Sequence, residues 1–307
     1  MGHFIGKAPI VTGWYRRPDV LMVLSSAPTY VATREALKVV DPQDLTPLRY
    51  LGAAVVLGLV LLVRRQRLTL RGGDIPRMLV AGLLGYAGFG LLLNLGQTTV
   101  PAGTTSLLLN ISPVFAFVLG HLMLRERTSS LGYWGMLLAV AGVVVITLGD
   151  SVAVGFNGDA LYIVAAALLL SAFLIVQQPL LSRVPPLEVV FWGSLIGGVA
   201  TLPTARFAVA PAEFTWTVWL ALAVLVVICT VVAYGFWNVS LSRTSVAEGG
   251  SLLYVVPVLS LLLGWILLGE VPSVASLLGG AAALAGVILL SRATASIAPE
   301  KELEPAP

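Results

Sequence analysis

The sequence predicts an all-α integral membrane protein: ten transmembrane helices arranged as two inverted five-helix repeats. Three observations carry this reading. Of 307 residues, 58% are hydrophobic and only 11% are charged, whereas a soluble domain carries about 25% charged residues. The apolar residues fall in runs close to the roughly 20 needed to cross a bilayer. Residues 238–287 repeat residues 94–143 in one ungapped register.

The first observation excludes whole classes. A soluble fold of this size needs a charged skin that these residues do not supply, so a cytosolic enzyme, a nucleic-acid-binding protein and a disordered chain are all ruled out. The net charge of +3 is ordinary for a membrane protein with cytoplasmic arginines and implies no nucleic-acid partner. A single cysteine, Cys229, excludes an intrachain disulfide and a multi-cysteine metal site. Ten crossings use about 200 residues and leave no room for a soluble domain.

Spans are expected at about 20–37, 45–63, 76–97, 103–124, 131–149, 159–181, 187–204, 215–241, 248–269 and 273–291. The first is interrupted by Thr33, Arg34 and Glu35, so it must face protein or a wet cavity. Residues 1–18 read as an N-terminal cytoplasmic tail, without the apolar core of a signal peptide. Residues 293–307, with Glu300, Lys301, Glu302 and Glu304 among prolines and alanines, read as a disordered cytoplasmic tail.

Orientation follows from lysine and arginine. With ten spans both termini share a side. Placing them in the cytoplasm puts 14 of the 18 basic residues inside, leaving Arg34, Lys38, Arg49 and Arg206 outside.

The repeat has an offset of 144 residues and aligns 94–143 with 238–287. Asn94 meets Asn238, Pro113-Val114 meets Pro257-Val258, Glu126 meets Glu270, and Gly135 meets Gly279. Ala141-Gly142-Val143 meets Ala285-Gly286-Val287. Matching Asn, Pro, Glu and Gly in one register is far harder to reach by chance than matching leucines. The units are 19–150 and 151–292. Each holds five spans, an odd number, so the second copy must lie upside down. Arginines flank Glu126 on the assigned inside, and Gly269 and Val271 flank Glu270 on the assigned outside. Inverted repeats are the build of alternating-access carriers, with the site where the halves meet.

These residues resemble a family. Pro113, Leu124-Arg125-Glu126-Arg127, Gly135 and Ala141-Gly142-Val143 are similar to the EamA repeat of the drug/metabolite transporter superfamily. Pro257, Gly264-Trp265, Leu268-Gly269-Glu270, Gly279 and Ala285-Gly286-Val287 form the cleaner second copy. Asp41-Pro42, Leu45 and Arg49 at the second span also look like that family. The resemblance covers about 19–292. It implies a carrier of a small, amino-acid-like metabolite, working in the direction of export across a bacterial-type inner membrane. It departs at Arg125, where the usual residue is glycine, and in the first span, where Ser25-Ser26-Ala27-Pro28 stands without the tryptophan often found there. A lipid-linked sugar flippase or accessory subunit of the same superfamily is the alternative within the class. An intramembrane enzyme is the alternative outside it, and no nucleophile, base or metal constellation supports one.

Buried polar side chains are the candidate substrate-binding residues, since leaving them unpaired in lipid is costly. They are Thr29, Tyr30 and Thr33 on the first span, Asn94 and Gln97 on the third, and Asn110 on the fourth. Gln177 on the sixth, Tyr234 and Asn238 on the eighth, and Tyr254 on the ninth complete the set. Each singly reads as an interhelical hydrogen bond; together they exceed what packing needs and point to a wet cavity. Trp192, Trp237, Tyr254 and Trp265 are candidate apolar walls. Pro113 and Pro257 are either fixed kinks or flexing points. Glu126 and Glu270 precede helices, where a carboxylate caps free amides or serves a gate. Gly135, Ala139 and Gly142, with Gly279, Ala283 and Gly286, are stripes that allow close helix approach. No catalytic residue, metal site or cofactor is expected. The expected partners are a small-molecule substrate and the lipid bilayer, with no nucleic acid, in a monomer or weak homodimer.

Overall fold

Prolines set where several helices begin. A proline in the first turn loses no hydrogen bond, because that N–H has no intrahelical partner, and its fixed φ suits the helix. Helices α1 (Pro18–Ser26), α2 (Pro28–Ala36), α3 (Pro42–Val63) and α9 (Pro186–Thr201) all open this way. The computed structural model describes residues 18–124, 129–154, 158–241 and 255–295, and among these no strand occurs. The remaining helices are α4 (Gly72–Gly96), α5 (Ala102–Leu109), α6 (Ser112–Leu124), α7 (Ser130–Val154) and α8 (Asp159–Leu181). They are followed by α10 (Trp216–Leu241), α11 (Val255–Leu268) and α12 (Val274–Ala295).

Eight helical stretches among the described residues are long and apolar enough to cross a membrane, and α11 is a shorter apolar helix. The expected single first span is instead the pair α1 and α2, because Pro28 restarts the helix after Ala27. The fourth span is likewise divided: α5 stops at Leu109 and α6 starts at Ser112, which places Pro113 in the first turn of α6 rather than in a helix interior. Pro257 lies in the first turn of α11. Tyr254 and Glu126 lie outside the described residues.

Two stretches wind as π-helix: Leu83–Gly88 within α4 and Val224–Val232 within α10. Shifted by 144 residues, the first falls inside the second. In α10 the wider turn is held by Thr230, whose hydroxyl donates to the Leu225 carbonyl five residues back at 2.8 Å. Such bulges often lie at functional sites.

The small-residue stripes pack on each other. A Cβ on Gly135 would lie 2.7 Å from the Gly286 carbonyl oxygen, and one on Gly142 would fall on the Gly279 carbonyl and Ala283 backbone. Gly135 thus meets Gly286 while Gly142 meets Gly279, so α7 and α12 cross antiparallel. Only residues without bulk permit this backbone contact.

Two buried carboxylates tie the halves crosswise. Asp44 in the first turn of α3 accepts the Arg206 N–H at 2.6 Å, in the loop before α10. Glu188, its repeat equivalent in the first turn of α9, accepts the Thr69 and Leu70 N–H groups at 2.8–2.9 Å, in the loop before α4. It also accepts the Thr69 hydroxyl at 2.9 Å and the Trp192 indole at 3.4 Å.

Candidate functional site

A cavity of about 160 Å³ lies between the two halves. Its described lining comes equally from residues before 150 and after 158. The two contributions are repeat equivalents. Ser26 and Leu170, Thr29 and Phe173, and Tyr30 and Leu174 line it as 144-residue pairs. So do Phe89 and Ala233, Leu93 and Trp237, and Ser112 and Val256. Helices that occupy matched places in the two halves therefore bring matched positions to one central void.

Among the described residues Arg49 is the charged member of this wall. It lies 3% exposed on α3. Its Nε donates to Thr230 Oγ1 at 2.9 Å and its Nη2 to the Cys229 carbonyl at 3.4 Å. Both acceptors belong to the π turn of α10. The guanidinium carbon stands 5.2 Å from the Tyr50 ring centroid, within cation–π reach. Among the described residues no carboxylate is within ion-pair distance of it. Beneath it Tyr86 contacts Tyr50, Phe173 and Tyr234 at centroid distances of 5.3–5.6 Å.

Of the sequence-expected residues, Thr29, Tyr30 and Tyr234 line the cavity, and Trp237 adds an aromatic wall. The other polar residues stand behind it. Asn94 donates to the Pro42 carbonyl at 3.2 Å and to Thr46 Oγ1 at 2.9 Å. Asn238 donates to the Pro186 carbonyl at 3.4 Å. Gln97 donates to the Tyr30 carbonyl at 3.1 Å. Asn110 donates to the Ser106 carbonyl at 2.8 Å, closing its own helix. Thr33 Oγ1 and both amide atoms of Gln177 are buried without a hydrogen-bond partner. Thr33 and Gln177 are themselves repeat equivalents. Trp265 is 55% exposed on the outer surface of the bundle and is no cavity wall.

Glu270 joins three elements at one end of the bundle. Gly269, with a φ of 68° that a side chain would strain, turns the chain at the end of α11. The Glu270 carboxylate then accepts Arg34 Nε from α2 at 3.0 Å and the Ala102 N–H at the start of α5 at 2.7 Å. Arg34 Nη1 donates to the Gln97 and Thr98 carbonyls at 2.8 and 2.7 Å. Of the two sequence alternatives for this glutamate, the contacts show the cap, made to α5 and not to the helix that follows Glu270. Lys38 and Glu35 pair beside it.

Arg49, Asp44 and Glu188 were not among the expected site residues. Counting Arg49 toward the outer charge tally hides it. The available signal was its place within an apolar run, where an ionisable group marks a functional position.

A membrane-spanning bundle whose two related halves share a central cavity is the build of a small-molecule carrier. The chain belongs to the EamA-like transporter family, whose pattern matches residues 20–148 and again 159–292. It is 34% identical over 284 residues to a probable terminal-alkyne amino-acid exporter of Streptantibioticus cattleyicolor, covering 90% of this chain and 92% of that one. It is 30% identical to the uncharacterized transporter YdfC of Bacillus subtilis, covering 87% of each. A crystal structure with a TM-score of 0.67 and 21% identity covers 92% of this chain and 97% of its own, a likeness of fold. The protein is a multi-pass membrane transporter rather than an enzyme.

Proposed function

We propose that this transporter exports a small amino-acid-like metabolite across the inner membrane by alternating access. Its ten crossings form two inverted halves, 19–150 and 151–292, with the tails 1–18 and 293–307 in the cytoplasm. The observation that carries this reading is the cavity lined by repeat-equivalent positions of both halves. A site on the relation between inverted halves is the point about which they rock. The reciprocal crossing of α7 and α12 supports the inversion, since equivalent helices meet antiparallel. The amino-acid class is supported by the Streptantibioticus relative.

In this reading Thr29, Tyr30 and Tyr234 contact the cargo, while Asn94, Gln97 and Asn238 hold the surrounding helices in place and Asn110 closes the end of α5. Pro113 and Pro257, each opening a helix at the cavity, are the flexing points. Glu270 with Arg34 closes the outer end, and Glu126, its equivalent in the sequence repeat, is the gating residue of the inner end in this reading. Thr33 and Gln177 lie one turn beyond the cavity along equivalent helices, and each gains a partner when its end of the pathway opens or closes.

The test is reconstitution in liposomes with labelled amino acids, among them L-propargylglycine as a terminal-alkyne example, with and without a pH gradient. Saturable counterflow of at least one is expected. No flux of any of them removes the proposed export function.

A further inference from the structure

We infer that Arg49 receives the carboxylate of the cargo and that the cavity takes a carboxylic acid bearing a small apolar group. This rests on the carrier reading and names the class of molecule carried.

The argument begins from broken symmetry. Applying the 144-residue shift to the contact between Arg49 and Thr230 gives Gly193 and Tyr86. That pair is in contact too: a Cβ on Gly193 would collide with the Tyr86 ring. One half therefore fills the place with an aromatic ring and the other with a guanidinium. Among the described residues the cavity has one cation, where an even duplication would give two or none.

The rest of the lining follows the same division. Thr29 faces the cavity where its equivalent is Phe173, Tyr30 where it is Leu174, and Ser112 where it is Val256. The first half thus contributes the polar wall around Arg49, and the second contributes mainly hydrocarbon, with Tyr234 as its hydroxyl. A buried, unneutralised guanidinium is costly to keep. Thr230 and the Cys229 carbonyl engage Nε and Nη2, and among the described residues Nη1 has no hydrogen-bond partner. A carboxylate supplies both the missing acceptor and the missing charge, in the geometry guanidinium favours. The volume sets the size of the apolar part. An apolar cavity of about 150 Å³ holds benzene, so a few carbons beside the carboxylate fit.

The experiment measures binding to the purified full-length protein in detergent, using L-leucine, L-phenylalanine and L-propargylglycine, each against its own amide. The amide keeps size and apolar group and removes the negative charge. For the wild type, at least one acid is expected to bind, at least about tenfold more tightly than its amide. In Arg49→Gln the acid is expected to fall to the amide's affinity while the amide is unchanged; Arg49→Lys restores part of the difference. A merely structural Arg49 lowers acid and amide together. Equal wild-type binding of acid and amide, or binding of none of the acids, overturns the inference even where the Gln variant does not fold. Acid-selective binding without counterflow in liposomes would leave the Arg49 assignment standing and remove the carrier reading. Equal flux of acid and amide does the reverse.

Discussion

Arg34 Nε and Glu270 Oε1 meet at 3.0 Å across 236 residues of sequence, joining α2 to the turn before α12. The same carboxylate caps α5 through the Ala102 N–H, so one side chain does two separable things. Glu270→Gln keeps an acceptor for the cap and loses the ion pair; Glu270→Ala loses both. The ion pair is partly solvated and contributes about 0–1 kcal/mol, the cap about 0.5–2 kcal/mol. Glu270→Gln is therefore expected to leave thermal stability nearly unchanged while opening that end of the bundle more often. Thiol labelling of a cysteine placed at Gln97 reads this directly, and an unchanged labelling rate would separate the pair from gating. By the repeat, the place of Arg34 is taken by the exposed Gln178 in the other half, so no matching cation stands there. The mutation is expected to shift the protein toward the state open at the Glu270 end.

What the sequence made legible, and what it hid, divides by the range of the interaction. Span positions follow from local runs of apolar residues, and α8 and α10 match their expected bounds to within a residue. The repeat is visible because identical side chains recur at one offset. Breaks such as Ala27 and Asn110–Ile111 are only partly visible, since a proline permits both a kink and a fresh start. The cavity is another matter. Whether Asn94 faces a void or a carbonyl depends on where Pro42 lies, 52 residues away, and no periodicity within α4 carries that information. Arg49 shows the same limit: a tally of charges by loop cannot distinguish an arginine at a membrane surface from one held between two halves.

Asn94 and Asn238 each donate to a proline carbonyl 52 residues earlier. Asn94 has a second acceptor in Thr46, where the equivalent position holds Val190. The Asn238 Oδ1 is buried without a partner. Intramembrane hydrogen bonds contribute about 0.6 kcal/mol on average and about 1.7 at most. Asn94→Leu is thus expected to destabilise more than Asn238→Leu. Unfolding of both in mild detergent by graded denaturant checks the order. Equal losses would mean that the Thr46 contact contributes nothing.

The crossing of α7 and α12 tolerates no side chain at its centre. A Cβ on Gly286 would fall on the Ala139 N–H, and one on Gly279 would lie 2.6 Å from the Gly142 carbonyl oxygen. Gly286→Leu and Gly142→Leu must separate two backbones, at a cost of at least about 1–3 kcal/mol. Both are expected to lower the melting temperature and the yield of monodisperse protein. Gly73→Ala is the control, because nothing lies within 4 Å of a Cβ there. Loss of assembly in the control as well would remove the steric account.

Glu188 gives the sharpest stability prediction. It is fully buried, and its two oxygens accept two backbone N–H groups, a hydroxyl and an indole. Removing the carboxylate leaves the Thr69 and Leu70 N–H groups to find other acceptors, at about 1–3 kcal/mol for each group left unpaired and buried. Glu188→Ala is expected to lose more stability than Glu188→Gln, because the amide retains one acceptor oxygen. Asp44→Ala, which gives up only the Arg206 N–H, is expected to lose less than either. The loop between α3 and α4 is where the difference becomes visible. With Glu188→Ala its amide protons exchange faster, while those of the α7 and α12 crossing remain as protected as in the wild type. Uniformly faster exchange across both regions would mean that Glu188 supports the whole bundle and not the loop of the opposite half.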